Sequence, residues 1–112
     1  MSITISYPLS GIAVLSVTES NGQSVLETVE ELCASGVKGI VLDLANVSFC
    51  SSLDIAQVIN ARAIVHEQGG HLRLAHVNHS VASIYRILKL ERLFHLGLTL
   101  QQALNEFEVQ QD

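Results

Sequence analysis

Three kinds of side chain in one short stretch could do chemistry: the thiol of Cys50, the hydroxyls of Ser51 and Ser52, and the carboxylate of Asp54. A thiolate or alkoxide becomes a nucleophile where a base or a helix start favours its anion. The same hydroxyls can instead accept a phosphoryl group, which adds roughly 1.5 to 2 negative charges at neutral pH. Ser51-x-x-Asp54 also has the spacing of a capping box, in which the serine caps the first helical turn and the carboxylate bonds back. The free N–H groups and partial positive charge of such a helix start favour a hydroxyl, a carboxylate or a phosphate. Ser51 is therefore an inert cap or a modifiable switch. A cap needs no general base, and the chain is read as non-enzymatic.

Other catalytic patterns are missing from the sequence. There is no Gly-rich phosphate loop, no Gly-x-Ser-x-Gly elbow, no His-Glu-x-x-His and no Cys-x-x-Cys. Among the five histidines, His76 and His79 are closely spaced and His71 or His95 could join them. Zinc sites draw three or four ligands from tighter sets, so no metal or other cofactor is expected. Cys33 and Cys50 both lie in apolar contexts and read as buried, reduced thiols.

The elements that must position the 50–54 stretch follow from hydrophobic spacing. Ile3, Ile5 and Tyr7 alternate with polar residues, Pro8-Leu9-Ser10-Gly11 is turn material, and Ile12 to Val17 is extended, which together predict a β-hairpin. From Ser24 to Ser35, Val25, Val29, Leu32 and Cys33 share a helical face, Glu27, Glu30 and Glu31 face away as a solvated surface, and Gly36 stops the helix. Gly39 to Leu44 reads as a central strand covered on both faces. A helix follows from Ser51 to Gln68, with Ile55, Val58, Ile59, Ala63 and Val65 on its apolar face. Leu53 and Ile64 fall instead on the polar side, in one stripe with Gln57 and Asn60. An apolar pair among amides, starting beside Ser51, marks a candidate docking surface.

After Gly69-Gly70, His71 to Val77 forms a strand and Ser80 to Lys89 a helix burying Val81, Ile84, Tyr85 and Leu88. Leu93 to Leu98 suggests a further short strand. Thr99-x-x-Gln102 is a second capping box, opening a helix that packs Leu100, Ala103, Leu104 and Phe107 before a frayed tail from Val109 to Asp112. The order β-β-α-β-α-β-α-(β)-α specifies an α/β fold, a small mixed β-sheet backed by about four helices, in one domain over residues 1–112.

The net charge of −5, from six basic and eleven acidic residues, offers no evident basic patch and argues against nucleic-acid binding. No run approaches the roughly 18 apolar residues of a membrane span, and Met1-Ser2-Ile3-Thr4 lacks a signal peptide's charged and apolar regions. A cytoplasmic protein without membrane insertion is expected.

The run from Ile40 to Ser52, its helix, and Gln68-Gly69-Gly70-His71-Leu72-Arg73-Leu74 resemble the STAS domain family of sulfate transporters and anti-sigma factor antagonists. The similarity continues through Val81 to Leu93 and Thr99 to Leu104, nearly the whole chain. It implies a sheet with helices on one side, little or no catalysis, and a regulatory protein partner. In antagonist members the hydroxyl residue after the motif aspartate is phosphorylated by a serine kinase that is itself the anti-sigma factor; here that position is Ser51, with Ser52 beside it. Cys50 and Leu53 stand where the family has aspartate and glycine. The leading expectation is an anti-sigma factor antagonist-like module binding its partner through Ser48, Cys50, Leu53, Asp54, Gln57, Asn60 and Ile64. The alternative, favoured by those two replacements, is a constitutive subunit of an ABC-type lipid transporter ATPase or of a stress-signalling scaffold.

Overall fold

Side chains at successive positions of the inner strands point to opposite faces and are apolar on both, so the sheet must be covered twice. The computed structural model describes residues 3–18 and 22–110. Its elements are β1 (Ile3–Leu9), β2 (Ile12–Val17), α1 (Gly22–Ala34), β3 (Gly39–Asp43), α2 (Ser52–Glu67), β4 (His71–Ala75), α3 (His79–Ile87) and α4 (Leu100–Gln110). The strand order is β1-β2-β3-β4, with β1 antiparallel to β2 and the pairs β2–β3 and β3–β4 parallel. Parallel neighbours require crossovers, which α1 and α2 provide. The mixed sheet with four helices is the expected fold.

One face carries Ala13, Leu15, Val17, Ile40, Leu42, Leu72 and Leu74, packed with Val29 of α1, Ile55 and Val65 of α2, and Val81 and Tyr85 of α3. The other carries Ile12, Val14, Val41 and Ala75 under Ala103, Leu104 and Phe107 of α4. The expectation of helices on one side is thereby corrected: α4 crosses to the second face because that face is apolar and would otherwise meet water. Phe107 fits there because Gly39 has no side chain, a Cβ at that position lying 3.1 Å from Phe107 Cε1. Arg73 on β4 secures the same helix, pairing its Nε with Glu106 Oε1 at 2.6 Å and setting its guanidinium 5.8 Å from the Phe107 ring centroid.

Three helices end alike. Val37 N–H bonds to Leu32 O and Gly36 N–H to Cys33 O; Gly70 to Val65 O and Gly69 to His66 O; Leu90 to Tyr85 O and Lys89 to Arg86 O. Each pair is a Schellman closure, which needs a left-handed residue. Gly36 (φ 96°) and Gly69 (φ 79°) supply it cheaply, whereas α3 uses Lys89 at φ 60°. Gly70 has a second role, since a Cβ there would overlap the Lys38 carbonyl that receives the His71 N–H.

Three expectations past β4 are corrected. The third helix stops at Ile87, leaving Ile84 half-buried and Leu88 exposed, because the chain turns through Lys89 without a glycine to announce it. Leu93 to Leu98 forms no strand: Leu93 and Phe94 N–H both fold back to Leu90 O, and Gly97 takes φ 87°. Phe94 is buried edge-on against Tyr85, with ring centroids 5.5 Å apart. The last helix continues through Gln110, past the expected start of fraying at Val109; residues 111–112 lie outside the described residues.

Lys89→Gly removes a left-handed Cβ and is expected to stabilise the fold by about 0.5–1 kcal/mol, read as a higher urea midpoint with an unchanged slope. Burial pushes the Glu106 carboxyl up, but hydrogen bonds from His95 and Arg73, and their charges, outweigh this and hold it below the usual value. A depressed folded-state value contributes stability above the ordinary carboxylate range that is lost as pH falls through the folded value. Glu106→Gln is therefore destabilising near pH 7, and the gap to the parent narrows towards pH 3 in urea titrations.

Candidate partner-binding site

Beyond β3 the chain does not turn at once into α2 but crosses the rim of the sheet, pegged by every third residue. Leu44, Val47 and Cys50 point inward and are buried, while Ala45, Asn46, Ser48 and Phe49 are exposed. Backbone bonds from Leu44 N–H to Ala75 O (2.9 Å) and Val47 N–H to Leu44 O (3.0 Å) start the turn. Asn78 completes it: its Nδ2 donates to Val47 O while its Oδ1 accepts from Val81 N–H at 2.9 Å, capping α3. One side chain thus joins the turn to the next helix.

His76 makes a second tie. Its backbone adopts φ 56°, its Nδ1 lies 3.1 Å from Asp43 Oδ1, and its Nε2 accepts from Leu100 N–H at 3.3 Å. These roles assign the Nδ1-protonated neutral tautomer. The ring links the end of β3 to the start of α4.

At the start of α2 both halves of the expected capping box are present. Ser51 Oγ accepts from Asp54 N–H at 3.1 Å, and Ser51 N–H donates to Asp54 Oδ2 at 2.9 Å. Ser51 is half-buried and Ser52 exposed. The second expected box is present at α4, where Thr99 N–H donates to Gln102 Oε1 (2.9 Å) and Thr99 Oγ1 accepts from Gln102 N–H (3.2 Å).

Beneath the turn lies an apolar cavity of about 30 Å³ bordered by Leu44, Val47, Cys50, Val58 and Tyr85. Burial raises the Cys50 thiol, and the nearby Asp54 charge raises it further. Burial likewise pushes the Tyr85 phenol far up, with Cys50 and Asp54 acting in the same direction. A nucleophilic cysteine needs the opposite environment. Cys50 is a structural thiol, and its place among the contact candidates is corrected because its side chain lies under the surface.

The remaining candidates divide. Leu53 is 67% exposed and Asn60 and Ser48 are exposed, whereas Asp54 and Gln57 are half-buried. Gln57 Oε1 is shielded from solvent without a hydrogen-bond partner among the described residues. Ile64 is half-buried against the main core. The stripe is thus continuous along the helix but open to solvent only in part, because α2 packs against α1 as well as β4. The same two-sided packing buries Ala61 together with the expected Ile55, Val58 and Val65 and leaves Ala63 exposed, which corrects the place of Ala63 on that face. Phe49, 69% exposed, was not among the sequence candidates; an aromatic between Ser48 and a buried Cys50 in a period of three is the signal that finds it. Asn78 was also missed, and its spacing of three from Val81, with the helix beginning between them, is the readable sign.

The histidines considered for a metal do not converge. His76 is engaged as above, His95 Nδ1 lies 2.9 Å from Glu106 Oε2, and His71 meets His66 edge-on. Among the described residues no three His, Cys, Asp or Glu side chains are grouped to hold an ion.

A mixed four-stranded sheet of this order, with a capped serine turn between β3 and α2, defines a small α/β domain, and the STAS domain family model matches residues 11–103. The chain belongs to the STAS domain family. Similar solved structures include a Thermotoga maritima protein to which an anti-sigma factor antagonist role is ascribed (18% identity, 93% of this chain and 92% of that one, TM-score 0.81). Others are the anti-sigma factor antagonist SpoIIAA in its unphosphorylated form (12%, 96% of both chains, 0.81) and Moorella thermoacetica RsbS with a serine-to-glutamate substitution (20%, 96% of both chains, 0.73). No curated protein sequence matches the chain. Among the described residues no helix is long and apolar enough to cross a membrane.

Asn78→Ala removes a helix cap and the bond that holds Val47. A loss of about 1–2 kcal/mol is expected, with hydrogen exchange accelerating first at residues 44–51 and in the first turn of α3; uniform acceleration would mean that Asn78 does not tie these segments.

Proposed function

We propose that this chain is a protein-binding regulatory module of the anti-sigma factor antagonist type, docking its partner on the Ser48–Asp54 turn and the first turns of α2. The observation that carries this reading is the exposure of Phe49 and Leu53 on either side of the capped Ser51. Two large apolar side chains held in water by a turn whose neighbours are buried are a hot spot awaiting a partner surface. Its partner is a regulatory protein of the anti-sigma factor or serine kinase kind, and the setting is control of transcription in the cytoplasm. SpoIIAA, similar in fold, is known in a phosphorylated form as well. A phosphate on Ser51 would sit at a helix N-terminus that stabilises it and beside Asp54, which repels it, displacing the hydrogen bond that now caps α2. It would also place a dianion between Phe49 and Leu53. Ser52, exposed at the first helical position, is the second candidate acceptor.

One observation favours the constitutive alternative. Cys50 is buried as a core peg and Leu53 projects into solvent, where the family's switch has an aspartate and a glycine. A chain that keeps the docking surface and has no switch fits a permanent subunit of a transporter ATPase or signalling scaffold.

Native mass spectrometry of the complex purified from its own host separates the two, through the identity of the partner and the mass of the Cys50–Arg62 peptide. With that partner, Phe49→Asp and Leu53→Asp are each expected to weaken binding at least about tenfold while leaving the urea midpoint near that of the parent. Unchanged affinity in both would remove the turn as the docking site. Ser51→Asp lowering affinity supports the switch, and an affinity equal to the parent's supports the permanent subunit.

A further inference from the structure

The net charge of −5 hides a local reversal, which corrects the expectation that no basic patch exists. The last turns of α2, the start of β4, the 91–95 segment and the middle of α4 enclose a cleft of about 470 Å³. Arg62, Arg73 and Arg92 line it, half of the six Lys and Arg residues of the chain. His66, His71 and His95 line it too, against two carboxylates, Glu91 and Glu106. Glu106 is fully engaged, with one oxygen on Arg73 at 2.6 Å and the other on His95 at 2.9 Å. Arg62 and Arg92 have no ion pair or hydrogen bond among the described residues. The cleft therefore holds two guanidinium groups without an ion-pair partner, on different elements, with Glu91 as the only carboxylate of its lining that is also unpaired among the described residues.

The geometry points to a binding site for a small phosphate-class anion of two or more charges, gripped between Arg62 and Arg92 with the imidazoles of His66 and His71 as further donors. Guanidinium forks match phosphate oxygens in pairs, and the volume is that of an ordinary small-ligand site. The lining is polar except for Leu72 and Leu93, and the two histidine rings meet edge-on, 6.3 Å apart and at 76°, leaving no stacked platform for a nucleobase. The ligand is thus held by its phosphates alone. The positive potential is already expressed in His71, whose imidazole is driven below its usual value by burial and then by Arg73, His66 and Arg62. This site is separate from the partner turn, since Arg62 lies eleven residues, about 16 Å of helix axis, beyond Ser51.

The test is titration of the full chain with sodium pyrophosphate at low salt, followed by calorimetry and by amide shifts. Saturable binding is expected, with shifts centred on residues 62–73 and 91–95. Arg62→Gln and Arg92→Ala, each removing one charge, should weaken it about tenfold or more. Asn46→Asp, which lowers the net charge equally on the exposed turn, should leave it within about twofold. Arg92 is exposed on a connecting segment, so its variant reports binding without threatening the fold. Equal loss in all three variants, or shifts spread over the surface, would reduce the effect to net charge and overturn the site. Tripolyphosphate and ATP should bind alike; ATP binding more than tenfold tighter would overturn recognition by phosphate alone.

Discussion

The structure depends on one constraint: the two inner strands, β2 and β3, are apolar on both faces. A fully buried Val, Leu or Ile contributes about 1.5–3 kcal/mol, and β2 and β3 place such residues alternately above and below the sheet, while β4 adds Leu72 and Leu74 to one face and Ala75 to the other. Strands buried in this way pair in parallel through crossovers, so the carboxyl ends of β3 and β4 come to the same rim. The turn after β3, the start of α2, the start of α3 and the start of α4 all gather there. Their convergence at that rim follows from topology before any side chain is specified.

Polar chemistry then makes the rim definite. Backbone groups leaving a sheet lose their ladder partners, and each loss is met by one short side chain: Asp43 for Ala45, Asn78 for Val47 and Val81, His76 for Leu100, Ser51 for Asp54. With Leu44, Val47 and Cys50 anchored below, the exposed Phe49 and Leu53 are presented on a scaffold that has already lost its conformational freedom. A partner docking there, as proposed, would meet less ordering cost, which favours affinity from a small apolar area.

Much of what is encoded within one turn of chain was legible in the sequence, though not the Asn78 cap or the fold-back onto Leu90. The hairpin, the α1 face of Val25, Val29, Leu32 and Cys33, and both capping boxes depend on neighbours two to four residues apart, and spacing reports them, although β1 runs on through Pro8 and Leu9, which were expected in the turn. The resemblance of the Ile40–Ser52 and Gln68–Leu74 runs located the fold. What spacing missed was set by distant packing. The close seating of Phe107 against the sheet depends on Gly39, sixty-eight residues away, carrying no Cβ. The partial burial of Gln57 and Ile64 depends on α1 lying across α2. Lys89 in a left-handed turn contradicts its own propensity and so concealed the end of α3. The cationic cleft draws on residues from Arg62 to Glu106, and a whole-chain charge count averages it away.

The first strand bears on how the sheet ends. Its pairing with β2 is regular from Ile3 to Ser6, then shifts register before Leu9, and Pro8 within the irregular part has no N–H to offer. Ile5 and Tyr7 are exposed along this outer strand, a surface on which another extended chain could grow the sheet. A fifth strand would find only four residues in register before the hydrogen-bonding rhythm broke. The irregularity at Pro8 is thus a guard against self-templating, and it lets an outer strand carry apolar side chains without becoming a seed for aggregates.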